Sequence, residues 1–244
     1  MKSAIITGAS RGIGRAAAML LAKEYEYIAI CSHASENELN QTAEIIRTST
    51  DNHCVCRTFV GDIANYDFVS AMTNEVISDC GSIDTLINNA GISIVGLFTD
   101  TTPDEWQRIM NVNLTSVYNT CHCVVPHMIH EKSGRILNIS SVWGLAGASC
   151  EVAYSATKGA INSFTKALAK ELAPSSIAVN AIAFGAIDTS MNGHLDPEEL
   201  AALEEEIPYG RMATEQEAAE CIQNILAMPS YFTGEIVKFD GAWI

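Results

Sequence analysis

Short, almost continuous hydrophobic runs alternate along this chain with longer stretches in which hydrophobic residues recur every three or four positions. The short runs are typical of strands buried on both faces, and the longer stretches are typical of amphipathic helices. Seven strands are predicted, at 4–7, 27–31, 55–60, 85–88, 135–139, 177–182 and 236–239. Helices are predicted at 13–23, 38–47, 66–78, 103–130, 152–172, 197–206 and 215–227.

This alternation predicts an α/β fold, a Rossmann-type doubly wound parallel sheet of seven strands with helices on both faces. We expect a single domain over residues 1–244, because no linker, repeat or low-complexity segment interrupts the series. Ligands of such sheets bind at the carboxyl ends of the strands, near the point where the strand order reverses. Candidate functional residues should therefore follow strands.

Composition narrows the range of partners. The net charge is −15, which should repel nucleic acid and anionic membranes, so we expect neither as a partner. No stretch reaches the roughly 18 apolar residues of a membrane span, and the first residues do not resemble a secretion signal. The eight cysteines are irregularly spaced, without a Cys-x-x-Cys pair. Free thiols in a reducing cytoplasm are the expectation, and no metal site is predicted.

The first candidate site is the glycine-rich turn that follows the first predicted strand and opens the first helix. Its glycines are spaced Gly-x-x-x-Gly-x-Gly, which differs from the Gly-x-Gly-x-x-Gly fingerprint. Glycine allows the backbone to approach a pyrophosphate, and the helix N-terminus supplies N–H donors. A plain strand-to-helix turn is the alternative for such a loop taken alone. The predicted cofactor contacts are Gly8, Ser10, Arg11, Gly12, Ile13 and Gly14.

The end of the second strand decides between NADP(H) and NAD(H). A carboxylate there would bind the ribose 2′-hydroxyl of NAD, whereas basic neighbours accept a 2′-phosphate. The sequence at 30–33 is Ile-Cys-Ser-His, without a carboxylate, and Arg11 lies in the neighbouring loop. NADP(H) is therefore predicted, with His33 as a candidate phosphate contact. Glu36 is near enough to keep NAD(H) as the alternative.

The candidate catalytic pair is Tyr154 and Lys158. Residues i and i+4 share one face of a helix, so the phenol and the ammonium should project into one site. A nearby ammonium is expected to lower the pKa of a phenol and to suit it for proton transfer. Ser141, after the fifth strand, could hydrogen-bond a carbonyl, and Asn113 could hold a water that relays protons to Lys158. An amphipathic surface pair is the alternative for the Tyr-x-x-x-Lys spacing alone.

The glycine-rich loop, the Asn-Asn-Ala-Gly run at 88–91 and the four candidates above together resemble the short-chain dehydrogenase/reductase family, over essentially the whole chain. The resemblance implies hydride transfer with NAD(P)H and usually a homotetramer. It also implies that Tyr154 is the general acid of reduction, that Ser141 orients the carbonyl and that Lys158 binds the nicotinamide ribose. Further cofactor contacts implied by the resemblance are Asp62, Ile63, Asn89, Ala90, Gly91, Ile187 and Thr189.

Departures from the family pattern bear on the substrate. Phe184 replaces the proline that usually follows the sixth strand, which should remove rigidity and add an aromatic surface. The chain resembles bacterial 3-oxoacyl-acyl-carrier-protein reductases of fatty-acid biosynthesis, so a small or carrier-bound ketone is the expected substrate. Its 141–154 stretch also resembles reductases that act on 5-aminopentanone-modified elongation factor P.

In that second subfamily two residues would be substrate candidates. Trp143 could line the pocket and Glu151 could pair with a substrate ammonium, although Trp143 could equally be a packing residue. Glu151 could instead favour the first turn of the helix that carries Tyr154. A non-catalytic nucleotide-binding scaffold is the alternative from a different class. It predicts the loss of a catalytic group, and none is lost.

Overall fold

A computed structural model describes residues 1–193 and 195–244. One sheet of seven strands, all parallel, has the order β3-β2-β1-β4-β5-β6-β7. The predicted Rossmann-type fold is therefore confirmed. The strands are β1 (Ser3–Thr7), β2 (Tyr27–Ser32), β3 (Val55–Val60), β4 (Thr85–Asn88), β5 (Gly134–Ser141), β6 (Ile177–Phe184) and β7 (Ile236–Phe239).

The α-helices cover both faces of this sheet, as the sequence predicted. Those of the described residues are α1 (Gly12–Leu21), α2 (Glu36–Ser49), α3 (Tyr66–Cys80), α4 (Pro103–Met110), α5 (Ser116–Glu131), α6 (Trp143–Ala146), α7 (Val152–Leu172), α8 (Pro197–Glu206) and α9 (Glu215–Ala227).

Each face of the sheet has its own hydrophobic core. Successive side chains of a strand point to opposite faces, so Ile6 of β1 joins the core under α1, α2 and α9. Ile5 joins the core under α3, α5 and α7. Both side chains are fully buried. This double burial explains why the strands are almost uniformly hydrophobic in sequence.

The predicted helix at 103–130 is wrong in one respect, because it is interrupted. Helix α4 ends at Met110, a π-helical segment spans Asn111–Thr115, and α5 begins at Ser116. The irregular turn points Asn113 inward, where its side chain is fully buried and bonds across to the neighbouring loop. Single π-turns of this kind are frequent at functional sites.

Two other expectations need correction at the ends of β5 and β6. Ser141 does not follow β5 but is its last residue, paired in register with Phe184. Phe184 does not provide an aromatic surface, because it is buried and its ring packs edge-on against Phe239 at 5.6 Å. The loss of proline at this position therefore adds a core contact.

In the described part of the chain, no cluster of three or more His, Cys, Asp or Glu side chains is suited to a metal. The absence of a metal site stays a prediction. Burial raises the pKa of several thiols, that of Cys121 to about 12, so these cysteines are protonated at neutral pH. Among the residues that the structure describes, no helix is long and apolar enough to span a membrane.

Candidate active site

The candidate site lies at the carboxyl ends of β1, β4, β5 and β6. The strand order reverses between β1 and β4, and the loops that leave these two strands diverge to opposite faces of the sheet. Such a reversal opens a crevice in which doubly wound folds bind their ligands. The sequence motifs after β1, β4 and β5 are therefore brought to one edge although they are distant along the chain.

The loop between β1 and α1 has the geometry that its glycines predict. Gly8 and Gly12 adopt φ of +66° and +61°, the left-handed region that favours glycine. A Cβ atom on Gly8 would lie 2.8 Å from the Cα of Ala90, and one on Gly14 would collide with Asn89. Ser10 is buried and Arg11, the N-cap residue of α1, is exposed. The loop can thus bring backbone N–H groups close to a pyrophosphate.

Asn89 and Thr7 join this loop to the segment that follows β4. The Asn89 Nδ2 donates to the backbone carbonyls of Thr7 and Gly8, each at 3.0 Å. The Thr7 hydroxyl accepts from the backbone N–H groups of Asn89 and Ala90. Asn89 therefore stabilises the phosphate loop in this structure. Its contact with an adenosine ribose stays a prediction.

The end of β2 presents a buried hydroxyl where the nucleotide-selecting carboxylate would lie. Ser32 is 9% exposed and its Oγ has no hydrogen-bond partner in the structure. His33 is exposed, and Glu36 opens α2 beyond it. None of these residues places a carboxylate at the end of the strand itself.

The remaining predicted cofactor contacts surround the same edge. Ile63 and Ile187 are buried, and Ile187 forms a β-bridge with Ala213. Asp62 is exposed, and its carboxylate accepts from the Ala64 N–H at 2.9 Å. The side chain of Thr189 lies within 4 Å of where a Cβ atom on Gly12 would be. The loop after β6 therefore borders the phosphate loop, while Asp62 and Ile63 follow the carboxyl end of β3.

Lys158 is the most deeply buried charged group of the site. It is 3% exposed, and its Nζ donates to the backbone carbonyl of Ile139 in β5 at 2.8 Å. Burial lowers the pKa of its ammonium to about 8. Its Nζ lies 5.4 Å from the centroid of the Tyr154 ring. The predicted helical pair therefore faces the interior, and the alternative of a surface pair is excluded.

Tyr154 is also buried, with 9% of its surface exposed. Burial raises the pKa of its phenol, the Glu151 carboxylate raises it further, and a hydrogen bond with Ser141 lowers it. The pKa of Tyr154 is therefore raised and not lowered as the sequence predicted, because burial of the phenol has the largest effect. Ser141 and Tyr154 are nevertheless adjacent, as the resemblance implied.

Asn113 joins this group through the π-helical segment. Its Oδ1 accepts from the Ile92 N–H at 2.8 Å, and its Nδ2 donates to the Ile92 carbonyl at 2.9 Å and to the Thr157 hydroxyl at 3.2 Å. A Cβ atom on Gly91 would lie 3.5 Å from the Asn113 Oδ1 and 3.6 Å from the Lys158 Nζ. The two polar groups therefore converge above Gly91.

The two substrate candidates lie on the segment between β5 and α7. Glu151 is the N-cap residue of α7 but makes no capping hydrogen bond, and its carboxylate instead accepts from the Ser93 hydroxyl. Trp143 donates its backbone N–H to the Ser141 Oγ at 3.2 Å, and its ring meets that of Trp243. Glu151 makes no capping hydrogen bond, but its charge lies at the N-terminus of α7, where it favours the first turn. Its pairing with a substrate ammonium stays a prediction, and the Trp143 ring packs against Trp243.

Sequence reasoning missed the groups that hold the predicted residues in place. Thr157 bonds to Asn113, and Ser93 bonds to Glu151. Thr157 lies within the Tyr-x-x-x-Lys run, but no role was predicted for it, and Ser93 belongs to no predicted motif. Gly144 lets the segment after β5 approach α7, because a Cβ atom there would lie 2.6 Å from the backbone of Lys158. Of these three residues only Gly144 has a sequence signal, because it is a glycine shortly before the small residues at 146–149.

Comparison with known proteins agrees with this geometry. A family model described as short chain dehydrogenase matches residues 2–200. The chain is 38% identical over 243 residues to the uncharacterized oxidoreductase YmfI of Bacillus subtilis, covering 99% of this chain and 98% of that protein. It is 36% identical over 241 residues to the 3-oxoacyl-[acyl-carrier-protein] reductase FabG of Chlamydia trachomatis, covering 98% and 96% of the two chains. It is 34% identical over 246 residues to FabG of Thermotoga maritima, covering 100% and 98%.

The chain therefore belongs to the short-chain dehydrogenase family. It is an oxidoreductase that depends on a nicotinamide dinucleotide, which confirms the expectation of an enzyme over that of a scaffold. The structure fits such a cofactor, because glycine at 8 and 14 lets the phosphate loop pack closely on Asn89 and Ala90, which a Cβ atom at either position would strike. The unpartnered Ser32 hydroxyl lies at the strand end where a ribose is expected.

Proposed function

We propose that this protein reduces a ketone to a secondary alcohol with NADPH. The observation that carries the proposal is the convergence of Tyr154, Ser141, Lys158 and Asn113 at the edge of the sheet beside the phosphate loop. NADPH is favoured over NADH because Ser32, rather than an acidic residue, ends β2. Bound there, the dinucleotide supplies the hydride that is added to the carbonyl carbon.

The side chains of the site supply the proton and the orientation. Ser141 and the Tyr154 phenol donate hydrogen bonds to the carbonyl oxygen, and the phenol transfers its proton to that oxygen as it becomes an alkoxide. The Lys158 ammonium then stabilises the phenolate that is left. Asn113 lies beside Lys158 over Gly91, where the two groups can hold a water that returns a proton toward Tyr154.

The proposed substrate is a 3-oxoacyl thioester carried by acyl carrier protein. This choice rests on the FabG names of two relatives that match the chain over nearly its whole length. Docking of an acidic carrier would be helped by basic side chains at the active-site mouth. The basic residues Lys132 and Arg135 instead line a pocket beside the amino end of β5, opposite the carboxyl ends of the strands, so the proposal assigns them no part in docking.

The test of the reaction is NADPH oxidation with a panel of ketones. The panel contains an acetoacetyl thioester, small diketones, a steroid ketone and an aminoketone. The chain should oxidise NADPH with at least the thioester. Tyr154→Phe should abolish turnover while leaving NADPH binding intact, because only the transferable proton is removed. Persistent turnover by Tyr154→Phe would refute the assignment of the proton donor.

The choice of NADPH has its own test at the end of β2. The ratio of kcat/KM for NADPH to that for NADH is measured on the same thioester. We expect the ratio to exceed one and to fall in Ser32→Asp, because a carboxylate there repels a 2′-phosphate and binds a 2′-hydroxyl. Faster turnover with NADH by the unaltered chain would overturn the choice of cofactor.

We also propose that the protein is a homotetramer of its 26.2 kDa chain. The α3 and α5 helices leave Tyr66 and Tyr118 largely exposed, and their rings both lie against His122. Exposed aromatic clusters of this kind are common at subunit interfaces. Sedimentation equilibrium should give about four chain masses, and a monomer mass at micromolar concentration would contradict the proposal.

A second candidate substrate is an aminoketone such as the 5-aminopentanone group on elongation factor P. The observation that favours it is the Glu151 carboxylate, which makes no helix-capping bond and lies near enough to Tyr154 to raise its pKa. Such a carboxylate can pair with a substrate ammonium beside the reacting carbonyl. Glu151→Gln should raise the KM for an aminoketone and not that for a neutral ketone of equal length. Equal effects on the two would exclude the pairing.

A further inference from the structure

The last turn of the chain is built against both segments that lead away from the active site. The ring of Phe239 packs edge-on against Phe184 at the end of β6. The ring of Trp243 packs edge-on against Trp143, just after β5, with 4.9 Å between ring centroids and 64° between planes. Residues 239–244 therefore join the segments that follow Ser141 and Phe184.

Asp240 holds this turn in one conformation. Its carboxylate accepts from the backbone N–H groups of Ala242 at 3.0 Å and Ile244 at 2.9 Å, and its side chain is only 5% exposed. Gly185 donates its N–H to the Phe239 carbonyl at 2.9 Å, and a Cβ atom on Gly185 would lie 2.8 Å from that of Asp240. The turn is therefore a packed element, and Trp243 is held by it rather than by a free tail.

Trp143 connects this turn with the candidate catalytic residues. Its backbone N–H donates to the Ser141 hydroxyl oxygen, so the hydroxyl hydrogen is directed elsewhere. Ser141 lies close enough to Tyr154 for its hydroxyl to lower the pKa of the phenol. The next residue, Gly144, packs on the backbone of Lys158, and its carbonyl accepts from Asn162. A displacement of Trp143 would therefore change the direction of the Ser141 hydroxyl.

We propose that Trp243 is a positioning residue for ketone reduction. Its indole braces Trp143, and the Trp143 N–H thereby keeps the Ser141 hydroxyl directed toward Tyr154 and the carbonyl oxygen. Trp243 itself need not touch the ketone. The inference rests on the proposed reduction, since it assigns Trp243 a part in the orienting step of that reaction. It makes the carboxyl-terminal turn a component of the active site.

The kinetic test compares Trp243→Ala with Trp243→Phe, which keeps an edge-on aromatic contact. Trp243→Ala should lower kcat for an acetoacetyl thioester by about two- to tenfold, the effect expected from losing one aromatic pair. The KM for NADPH and the number of NADPH sites per chain should stay unchanged. Trp243→Phe should recover most of the rate. Tyr231→Ala, which truncates a 97% exposed aromatic residue, is the matched control without effect.

Two further readouts separate positioning from loss of folded protein. With NADPH deuterated at the transferred hydride, the isotope effect on kcat should rise in Trp243→Ala, because hydride transfer to a poorly oriented carbonyl becomes slower. The double variant Trp143→Ala/Trp243→Ala should lose no more rate than Trp143→Ala alone, because both changes break the same contact. If the double variant instead lost rate by the product of the two single-variant factors, the two residues would act independently and the proposal would be overturned.

The contact between the Trp143 and Trp243 rings can be detected without an activity measurement. Edge-on indoles at this distance should give an exciton couplet in far-ultraviolet circular dichroism, which Trp106→Phe should retain and Trp243→Phe should lose. A couplet lost in Trp243→Ala with kcat and isotope effect unchanged would refute the positioning role alone. Absence of NADPH oxidation by the unaltered chain with every ketone would instead refute the proposed function.

Discussion

Burial sets the protonation state of the two central side chains. It raises the pKa of Tyr154 and lowers that of Lys158 to about 8, so both shifts favour the neutral form. A neutral phenol is the state that a general acid needs when a carbonyl is reduced. The Lys158 ammonium stays charged at neutral pH, and its Nζ is within 5.4 Å of the phenol ring centroid. It can therefore stabilise the phenolate once the proton has left.

The charge of Glu151 should be visible in the pH dependence of reduction. This carboxylate raises the pKa of Tyr154, so Glu151→Gln lowers that pKa toward its ordinary value. Reduction requires the protonated phenol, and its rate is lost as pH rises through this pKa. Loss of the Lys158 charge near pH 8 is common to both proteins, so the comparison is made above that pH. There the remaining decline of kcat for a neutral ketone should begin at lower pH in Glu151→Gln. A decline that begins at the same or a higher pH would contradict this account.

The burial of Lys158 should cost the folded protein stability. Its pKa falls from 10.5 to about 8, which corresponds to about 3 kcal/mol at roughly 1.4 kcal/mol per pKa unit. The cost is complete below pH 8, where both folded and unfolded chains carry the proton, and it disappears as pH rises from 8 to 10.5. Lys158→Met should therefore unfold at higher urea concentration at pH 7, with an advantage that shrinks toward pH 10.5.

The control for this comparison is Lys166→Met, on the same helix and exposed. It should change the free energy of unfolding little and without dependence on pH in this window. Lys158→Met should at the same time lose activity, because no ammonium remains to stabilise the phenolate. If Lys158→Met unfolds more readily than the unaltered chain at pH 7, the lost hydrogen bond to the Ile139 carbonyl outweighs the relieved burial.

At the level of elements, irregular ends rather than regular interiors form the site. The π-helical segment turns Asn113 inward, the glycine-rich turn before α1 forms the phosphate cradle, and α7 begins just beyond Glu151. Helix α9 has a supporting role, since it packs on α1, the helix behind that cradle. The first turn of α9, and with it the packing of this helix on α1, depends on the hydrogen bonds of its N-terminal cap.

The capping box of α9 provides a test of that dependence. The Thr214 hydroxyl accepts from the Glu217 N–H at 3.1 Å, and the Glu217 carboxylate accepts from the Thr214 N–H at 2.9 Å. Thr214→Ala should lower the free energy of unfolding by about 1 kcal/mol in urea titration. Thr48→Ala, which removes an exposed hydroxyl from the last turn of α2, should change it much less. Equal effects would show that the cap is not the cause.

At the level of the whole molecule, the net charge of −15 opposes the docking of any acidic partner. Repulsion between exposed charges is screened by salt, with a Debye length of about 10 Å at 0.1 M. The same repulsion does not act on a small neutral thioester. Specificity for a carrier-bound substrate must therefore come from contacts that overcome it.

Salt should consequently distinguish the two kinds of substrate. If an acidic acyl carrier protein brings the ketone, its KM should fall as ionic strength rises from about 0.01 to 0.2 M, because repulsion is screened. The KM for an acetoacetyl thioester of a small neutral thiol should change little over the same range. A carrier-protein KM that instead rises with salt would indicate an attractive basic patch, contrary to this expectation.

Much of the fold could be predicted because its patterns are local. The strands at 55–60, 85–88 and 236–239 and the helices at 152–172, 197–206 and 215–227 were predicted with the bounds that the structure shows. Buried parallel strands are hydrophobic throughout, and amphipathic helices repeat every three to four residues, so both patterns are visible without tertiary contacts. That Tyr154 and Lys158 share one helix face followed from periodicity, whereas their role as a catalytic pair was implied only together with the other motifs.

Tertiary structure decided what a local pattern cannot express. The π-turn at Asn113 depends on Ile92 and Thr157, and the carboxylate of Glu151 turns to Ser93 rather than to its own helix. The direction of each pKa shift depends on burial, which is a property of the packed chain. Trp243 lies 100 residues from Trp143, and only the closing of the sheet between them brings the two rings together. Sequence thus determined the elements and the chemistry they carry, whereas packing determined how each group is held and charged.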